Sequence, residues 1–326
     1  TFCSGSSEII EYLVKFHNFE FICLGQPTES RIKPTKNFKI FEELLNYTTI
    51  NWNSNFVTIS ITDLDQLEAA RKRPFVLVVF VDSPILKRFD RYMIETQNLP
   101  SNKDHLMEFV LLSDKFNLEF SSSLKSRSQQ NSVSIPSSLD FLPFSSSSDL
   151  QIFNNFDSPD DLFFHLDAIN LLDTNRLRPS WDLYFMKIAE LSSHRSNCMK
   201  RRVGCILVQN NQILSTGYNG TPKNLKNCNE GGCKRCNEGA KQGTSLDECL
   251  CIHAEENALL QIGANRISSG YCILYCNTCP CLGCSKKIVQ AGVKEVVYNQ
   301  EYGMDEKTAR LFSDAKIILR RFLLTL

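Results

Sequence analysis

Two short runs carry the residue types that metal-assisted hydrolysis needs: His253-Ala254-Glu255 and, downstream, Pro280-Cys281-Leu282-Gly283-Cys284. Two thiolates and one imidazole fill three corners of a zinc tetrahedron and leave the fourth open to water. Zinc brings the pKa of such a water close to neutrality, so hydroxide is available at physiological pH to attack an electrophilic carbon. Glu255, two residues past His253, then moves protons: from the water to an atom beside the attacked carbon, and finally to the departing group. A C-x-x-C pair alone suits a structural zinc clip, and a lone His suits ordinary packing. A structural clip has no use for Glu255, so the two runs in this order favour catalysis.

The order H-x-E followed by P-C-x-x-C is the signature of zinc deaminases acting on nucleobases, with the Glu outside the metal shell. It assigns His253, Cys281 and Cys284 as zinc ligands and Glu255 as the proton carrier. The elements that must hold them follow from the pattern. Pro280 and Cys281 open a helix whose N-terminal dipole and free N–H groups favour thiolates. His253 opens another, read from the apolar run Ala258-Leu259-Leu260-Ile262. Around them the spacing predicts a helix from Trp181 to His194, a strand from Val203 to Val208, and a turn at Asn210-Asn211 into Ile213-Leu214. Strands at Ile273-Tyr275 and Val296-Tyr298, a stop at Gly292, a helix from Asp305 to Asp314 and a last strand at Ile317-Leu319 complete an α/β/α sandwich.

The stretch from about Arg178 to Leu319 resembles the deoxycytidylate (dCMP) deaminases of the zinc-dependent cytidine/deoxycytidylate deaminase family, the fungal forms above all. Six blocks carry the resemblance: Pro179-Ser180-Trp181-Asp182 with Tyr184-Phe185-Met186, Arg195-Ser196-Asn197-Cys198, Arg202-Val203-Gly204-Cys205, Gly217-Tyr218-Asn219-Gly220-Thr221-Pro222, His253 to Ala258, and Cys279 to Cys284. The resemblance implies a cytidine-deaminase fold and hydrolysis of dCMP to dUMP and ammonia for thymidylate synthesis. It implies activation by dCTP with Mg²⁺, inhibition by dTTP, and a homo-hexamer. It also implies that Tyr218, Asn219 and Gly220 line a nucleotide site, either the substrate sugar or the allosteric effector, and that Tyr302 approaches the nucleotide. Read by residue type alone, Asn219-Gly220 is equally a tight turn and Tyr302 equally core packing.

Twelve of the 14 cysteines lie between Cys198 and Cys284. Beyond the catalytic pair, Cys228, Cys233 and Cys236 form C-x4-C-x2-C, and Cys249 and Cys251 crowd ahead of His253. We expect a second, structural zinc held by Cys198, Cys228, Cys233 and Cys251, with Cys236 and Cys249 as alternates; buried unliganded thiols are the competing reading.

Composition bounds the rest. The 326 residues suffice for two domains, 42% apolar content supports their cores, and no long apolar run suggests a membrane span. Formal net charge is zero, which argues against a polynucleotide substrate, while Lys200-Arg201-Arg202 could meet one phosphate or be a solvated loop. A leaderless, thiol-rich chain is expected in the cytoplasm and in the nucleus as a second location; the missing initiator Met points to an N-terminus lost or processed. Residues 173–326 read as the deaminase domain and 1–172 as a first domain, with a mobile Ser-rich insertion at 121–150 that holds 13 serines. The first hundred residues resemble the core of P-loop nucleoside and nucleotide kinases, through a strand at Phe19-Leu24, one at Phe56-Ile59, a longer one at Phe75-Val81 and a helix at Leu86-Arg91. Ser6 before Ser7 stands where a working phosphate loop has Lys, so the domain is expected to be degenerate. Arg88 and Arg91 could bind phosphate, but on an exposed helix they are expected to be ordinary surface charges. Two further functions stay open: a tRNA-editing type of zinc deaminase, and a non-catalytic zinc scaffold.

Overall fold

The structure, a computed structural model, describes residues 3–25, 32–61, 63–96, 105–114, 148–241, 243–263, 270–301 and 305–324. The chain divides between Arg178 and Pro179 into two compact units. The first runs α1 (Ser6–His17), β1 (Glu20–Leu24), β2 (Lys36–Phe38), α2 (Phe41–Ile50), β3 (Phe56–Val57), α3 (Leu64–Arg71), β4 (Val79–Asp82), α4 (Ile85–Glu95), a helix over 105–114 (α5), β5 (Leu150–Phe153) and α6 (Pro159–Ala168). Its strands pair in parallel, in the order β2-β1-β3 and as the pair β4-β5. Parallel neighbours need helical crossovers, and the helices cover them with helix-spaced apolar residues. Ile9, Tyr12 and Leu13 of α1 pack with Val81, Ile152, Leu162 and Leu166 in one core.

Three expectations for this unit are corrected. The strand read from Phe75 begins only at Val79, because residues 72–75 turn. The Ser-rich stretch does not run free to residue 150: Asp149 accepts from the Val78 N–H at 2.8 Å and pairs with Arg71 at 2.9 Å, which seats β5 beside β4. Residues 115–147, most of that stretch, lie outside the described residues. Arg91 is no surface charge. Its guanidinium donates to Ser83 Oγ and to the carbonyls of Cys3, Asn154 and Phe156, while Arg88 donates to Ser113 Oγ.

The second unit positions the site. It contains α7 (Trp181–Ser193), β6 (Gly204–Gln209), β7 (Gln212–Tyr218), the single turn α8 (Lys234–Asn237), α9 (Ala254–Ile262), β8 (Cys272–Thr278), α10 (Leu282–Ala291), β9 (Glu295–Gln300), α11 (Asp305–Asp314) and β10 (Ile318–Arg321). The strand order is β10-β9-β8-β6-β7, with β10, β9 and β8 parallel and β6 antiparallel to both of its neighbours. Asn210 and Asn211 both take positive φ, 52° and 59°, giving the tight turn that joins β6 to β7. Strand alternation sorts the layers: Cys205 and Leu207 face the core under α9, α10 and α11, whereas Ile206 and Val208 face Phe185, Met186 and Ala189 of α7. The result is helices on both sides of a five-stranded sheet, as the sequence pattern predicts.

Two glycines set how closely these layers approach. A Cβ on Gly204 would lie 2.0 Å from the Ala189 carbonyl oxygen of α7, and one on Gly217 would lie 2.1 Å from the Ala254 carbonyl oxygen of α9. Among the described residues no helix is long and apolar enough to cross a membrane.

Candidate active site

His253 and Cys281 each stand at the N-cap of a helix, α9 and α10, in extended backbone. Those two helix starts converge near the C-terminal end of β8, where Cys279 alone separates the strand from Pro280 and Cys281. His253 Nδ1 lies 3.4 Å from Cys281 Sγ and 3.3 Å from Cys284 Sγ, and the three ligand atoms form one compact group. For zinc with Zn–N and Zn–S bonds of roughly 2.0 and 2.3 Å, an N···S edge of the tetrahedron is about 3.5 Å. The residues present therefore fit the ion, with Nδ1 as the imidazole donor. Cys284 is buried, Cys281 is half-buried and His253 reaches the surface.

The charges agree with that geometry. The Cys281 thiol is drawn down to about 3, chiefly by its hydrogen bond with Cys284, burial opposing, and then by His253. Cys284 is pushed up by the same pairing and by burial. His253 is raised to about 9, first by its hydrogen bond to Cys281 against the effect of burial, then by the charge on Glu255. Glu255 sits on the first turn of α9 and is 3% exposed; burial lifts its carboxyl to about 6, with the nearby His253 pulling the other way. A carboxyl poised near neutrality can both accept and return a proton at physiological pH.

Above the triad lies a cavity of about 750 Å³, lined among others by Lys200, Arg201, Asn219, Glu255 and Thr278. Asn219 reaches its wall, but the amide is committed. Its Oδ1 accepts from Ser196 Oγ at 2.6 Å and from the Val203 N–H at 2.8 Å, and its Nδ2 donates to the Arg201 carbonyl at 2.7 Å. It thus shapes the 196–203 loop that brings Lys200 and Arg201 to the cavity. Tyr218 ends β7, with its carbonyl held by Asn257 Nδ2, and Gly220 pairs with Ile252 across an isolated bridge. Tyr302 lies outside the described residues.

The other cysteines gather beside the same cavity. Cys228, Cys233 and Cys236 are buried and Cys198, Cys249 and Cys251 half-buried, all six in one group of free thiols. Cys198, Cys228 and Cys251 converge with Cys236, one of the two alternates expected from the sequence, while Cys233 groups with Cys236, Cys249 and Cys251. Cys233 precedes α8 and faces Cys249 and the Leu250 N–H, whereas Cys236, within α8, turns its sulfur to 3.8 Å from Cys198. Sequence reasoning also missed the close-packing role of Gly217, which entered only as part of a family block, and an ion network in which Arg320 of β10 holds Asp182 of α7 and Glu295 of β9.

Residues 179–300 match the family described as the cytidine and deoxycytidylate deaminase zinc-binding region. A deoxycytidylate deaminase from Schizosaccharomyces pombe is 43% identical over 98% of this chain and 95% of its own length. The chain belongs to the deoxycytidylate deaminase family. A second member, from Saccharomyces cerevisiae, is 37% identical over 99% of this chain and 95% of its own. Among solved structures, a dCMP deaminase from the cyanophage S-TIM5 in complex with dCMP and dUMP is 34% identical, covering 43% of this chain and 94% of that one, with a TM-score of 0.34. Both yeast family members align with the first unit as well as the second.

Proposed function

We propose that this chain hydrolyses dCMP to dUMP and ammonia. The observation that carries the reading is the buried Glu255 carboxyl beside a His253-Cys281-Cys284 triad, at the floor of a cavity with Lys200 and Arg201 on its wall. The full-length relatedness to two deoxycytidylate deaminases supports the substrate. Two cationic side chains suit one 5′-phosphate, and a formal net charge of zero does not favour a polynucleotide.

Zinc held by His253, Cys281 and Cys284 would supply the Lewis acidity that activates water. Glu255 takes one proton from that water and gives it to the ring nitrogen next to C4 of the cytosine. It takes the second and passes it to the exocyclic amine, which leaves as ammonia while C4 becomes a carbonyl. The burial of Glu255 excludes bulk water from these transfers. Asn219 keeps the Arg201 backbone in place through its Nδ2 and so sets where the phosphate end binds; Tyr218 and Gly220 fix the adjoining strand end.

The cysteine group is read as holding structural zinc. Regulation by dCTP with Mg²⁺ and by dTTP, in a homo-hexamer, follows from the family resemblance. Fourteen cysteines, none in a disulfide, support a reducing compartment, cytoplasm or nucleus. The first unit is read as a degenerate relative of P-loop kinases, on its parallel strands joined by helices. Asn154 Nδ2 donates to the Ser4 carbonyl at 3.0 Å and would lie 2.2 Å from a Cβ on Gly5, so the turn ahead of α1 is closed by the chain itself.

The test is the ultraviolet absorbance of dCMP in the presence of the purified chain, with and without dCTP and Mg²⁺, and with CMP, deoxycytidine and cytosine as controls. Turnover confined to dCMP and raised by dCTP is expected. A zinc-loaded chain that leaves dCMP untouched refutes the reading.

A further inference from the structure

Six sulfurs are too many for one tetrahedral ion, and they are arranged as two overlapping sets of four. Cys198, Cys228, Cys236 and Cys251 lie within 4.8 Å of one another, and so do Cys233, Cys236, Cys249 and Cys251. Cys236 and Cys251 belong to both. Cys236 Sγ is 3.8 Å from Cys198 Sγ, 3.8 Å from Cys249 Sγ and 4.0 Å from Cys251 Sγ. Four sulfurs roughly 2.3 Å from a zinc ion stand about 3.8 Å apart along each edge of the tetrahedron. The separations around Cys236 match such edges and are well beyond the ~2.05 Å of a disulfide.

We propose that these six cysteines bind two zinc ions as a binuclear cluster, with the Cys236 and Cys251 thiolates bridging the ions, Cys198 and Cys228 completing one tetrahedron and Cys233 and Cys249 the other. This deepens the reading of the group as a structural metal site and is independent of the substrate. A single ion in either set would strand two thiols of the other in a largely buried place. The second ion removes that problem without adding charge, since two divalent cations against six thiolates leave the same two negative charges as one cation against four. Backbone N–H groups already point at outer sulfurs: those of Lys200 and Arg201 at Cys198, that of Met199 at Cys228 at 3.4 Å, and that of Leu250 at Cys233. Loading two ions displaces the thiol protons and consumes no oxidant.

The cluster joins three separate segments: the loop after α7, the 228–236 excursion and the extended segment 249–252 that leads to His253. Cys251 is two residues from His253, and Ile252 between them is pinned to Gly220.

The experiment counts metal by plasma mass spectrometry in the native chain and in a His253→Ala/Cys281→Ser variant, both loaded with zinc under anaerobic reducing conditions and desalted. Three ions per native chain and two per variant chain are expected. Two in the native chain, or one or fewer in a folded variant, overturn the cluster. Cadmium-113 substitution of the variant should give two resonances that split one another through the shared sulfurs; a single resonance, or two without mutual splitting, overturns the bridging. Three ions in a chain inert toward dCMP would uphold the cluster and refute the substrate, whereas an active chain with two ions would do the reverse.

Discussion

Replacing Gly217 by Ala should disable the active site from outside the cavity. The added Cβ would lie 2.1 Å from the Ala254 carbonyl oxygen, 2.6 Å from the Ala258 nitrogen and 2.9 Å from the Ala258 Cβ, all on α9. These neighbours are helix backbone and a methyl stub, with no flexible side chain to swing away. Reaching an ordinary contact of 3.4 Å requires α9 and β7 to separate by roughly 1.3 Å, and Ala254 is the residue between His253 and Glu255. Overpacking of this kind costs about 1–3 kcal/mol of stability, and a displacement of about 1 Å at catalytic groups costs on the order of 100-fold in rate. The assay is dCMP deamination with thermal unfolding and zinc content measured on the same sample. Thr216→Ala serves as the control, since Thr216 is exposed on the same strand and should change neither. A Gly217→Ala chain with native turnover and native melting temperature would refute the close-packing argument.

Three more perturbations separate the roles assigned here. Glu255→Gln preserves shape and removes the proton carrier, so kcat should fall about 10²–10⁴-fold while catalytic zinc stays bound; a smaller fall ends the proton-shuttle assignment. Burial pushes the Asp182 carboxyl up, but hydrogen bonds from Arg320 and Tyr275 outweigh it and hold it below its ordinary value. That pairing contributes stability above the unfolded pKa of about 3.9 and loses it as pH falls through the lower folded value. Asp182→Asn should therefore lower stability at pH 7 and flatten its loss in acid, as followed by denaturant melts from pH 7 to pH 3; an unchanged acid slope contradicts it. Arg91→Met leaves the Ser83 hydroxyl and three carbonyls without their charged donor and should cost about 2–3 kcal/mol, read as a lower melting temperature; an unchanged one removes Arg91 from its structural role.

The convergence of His253, Cys281 and Cys284 was legible because zinc chemistry draws on few residue types, and the N-caps at His253 and Cys281 place those side chains at known points of a helix. The sandwich was legible for a similar reason: Cys205 to Val208 alternate between two cores, and Asn210-Asn211 announce the turn. What escaped were facts that exist only through space. Arg320 and Asp182 are far apart in the chain, so nothing local marks their pairing. The division of six cysteines into sets of four depends on which way the turn around Cys236 faces, and spacing does not encode that. Gly217 stood in the sequence only as one residue of a family block, whereas its function is to let a helix backbone come close. In the first unit, β2 has only three residues, too short for a periodic signal, and the strand read at Phe56-Ile59 is formed over Phe56 and Val57 alone.

The fastening of Asn219 also bears on how the molecule ages. An Asn-Gly pair ordinarily degrades on its own, because the glycine nitrogen attacks the asparagine amide carbon and closes a five-membered imide that releases ammonia. Here the Gly220 N–H is tied to the Ile252 carbonyl at 3.1 Å, and both ends of the Asn219 amide are engaged by Ser196, Val203 and Arg201. The nucleophile cannot turn and the amide cannot rotate toward it. The folded chain thus protects the wall of its own cavity from spontaneous chemical damage, and that protection lasts only while the strand end stays paired.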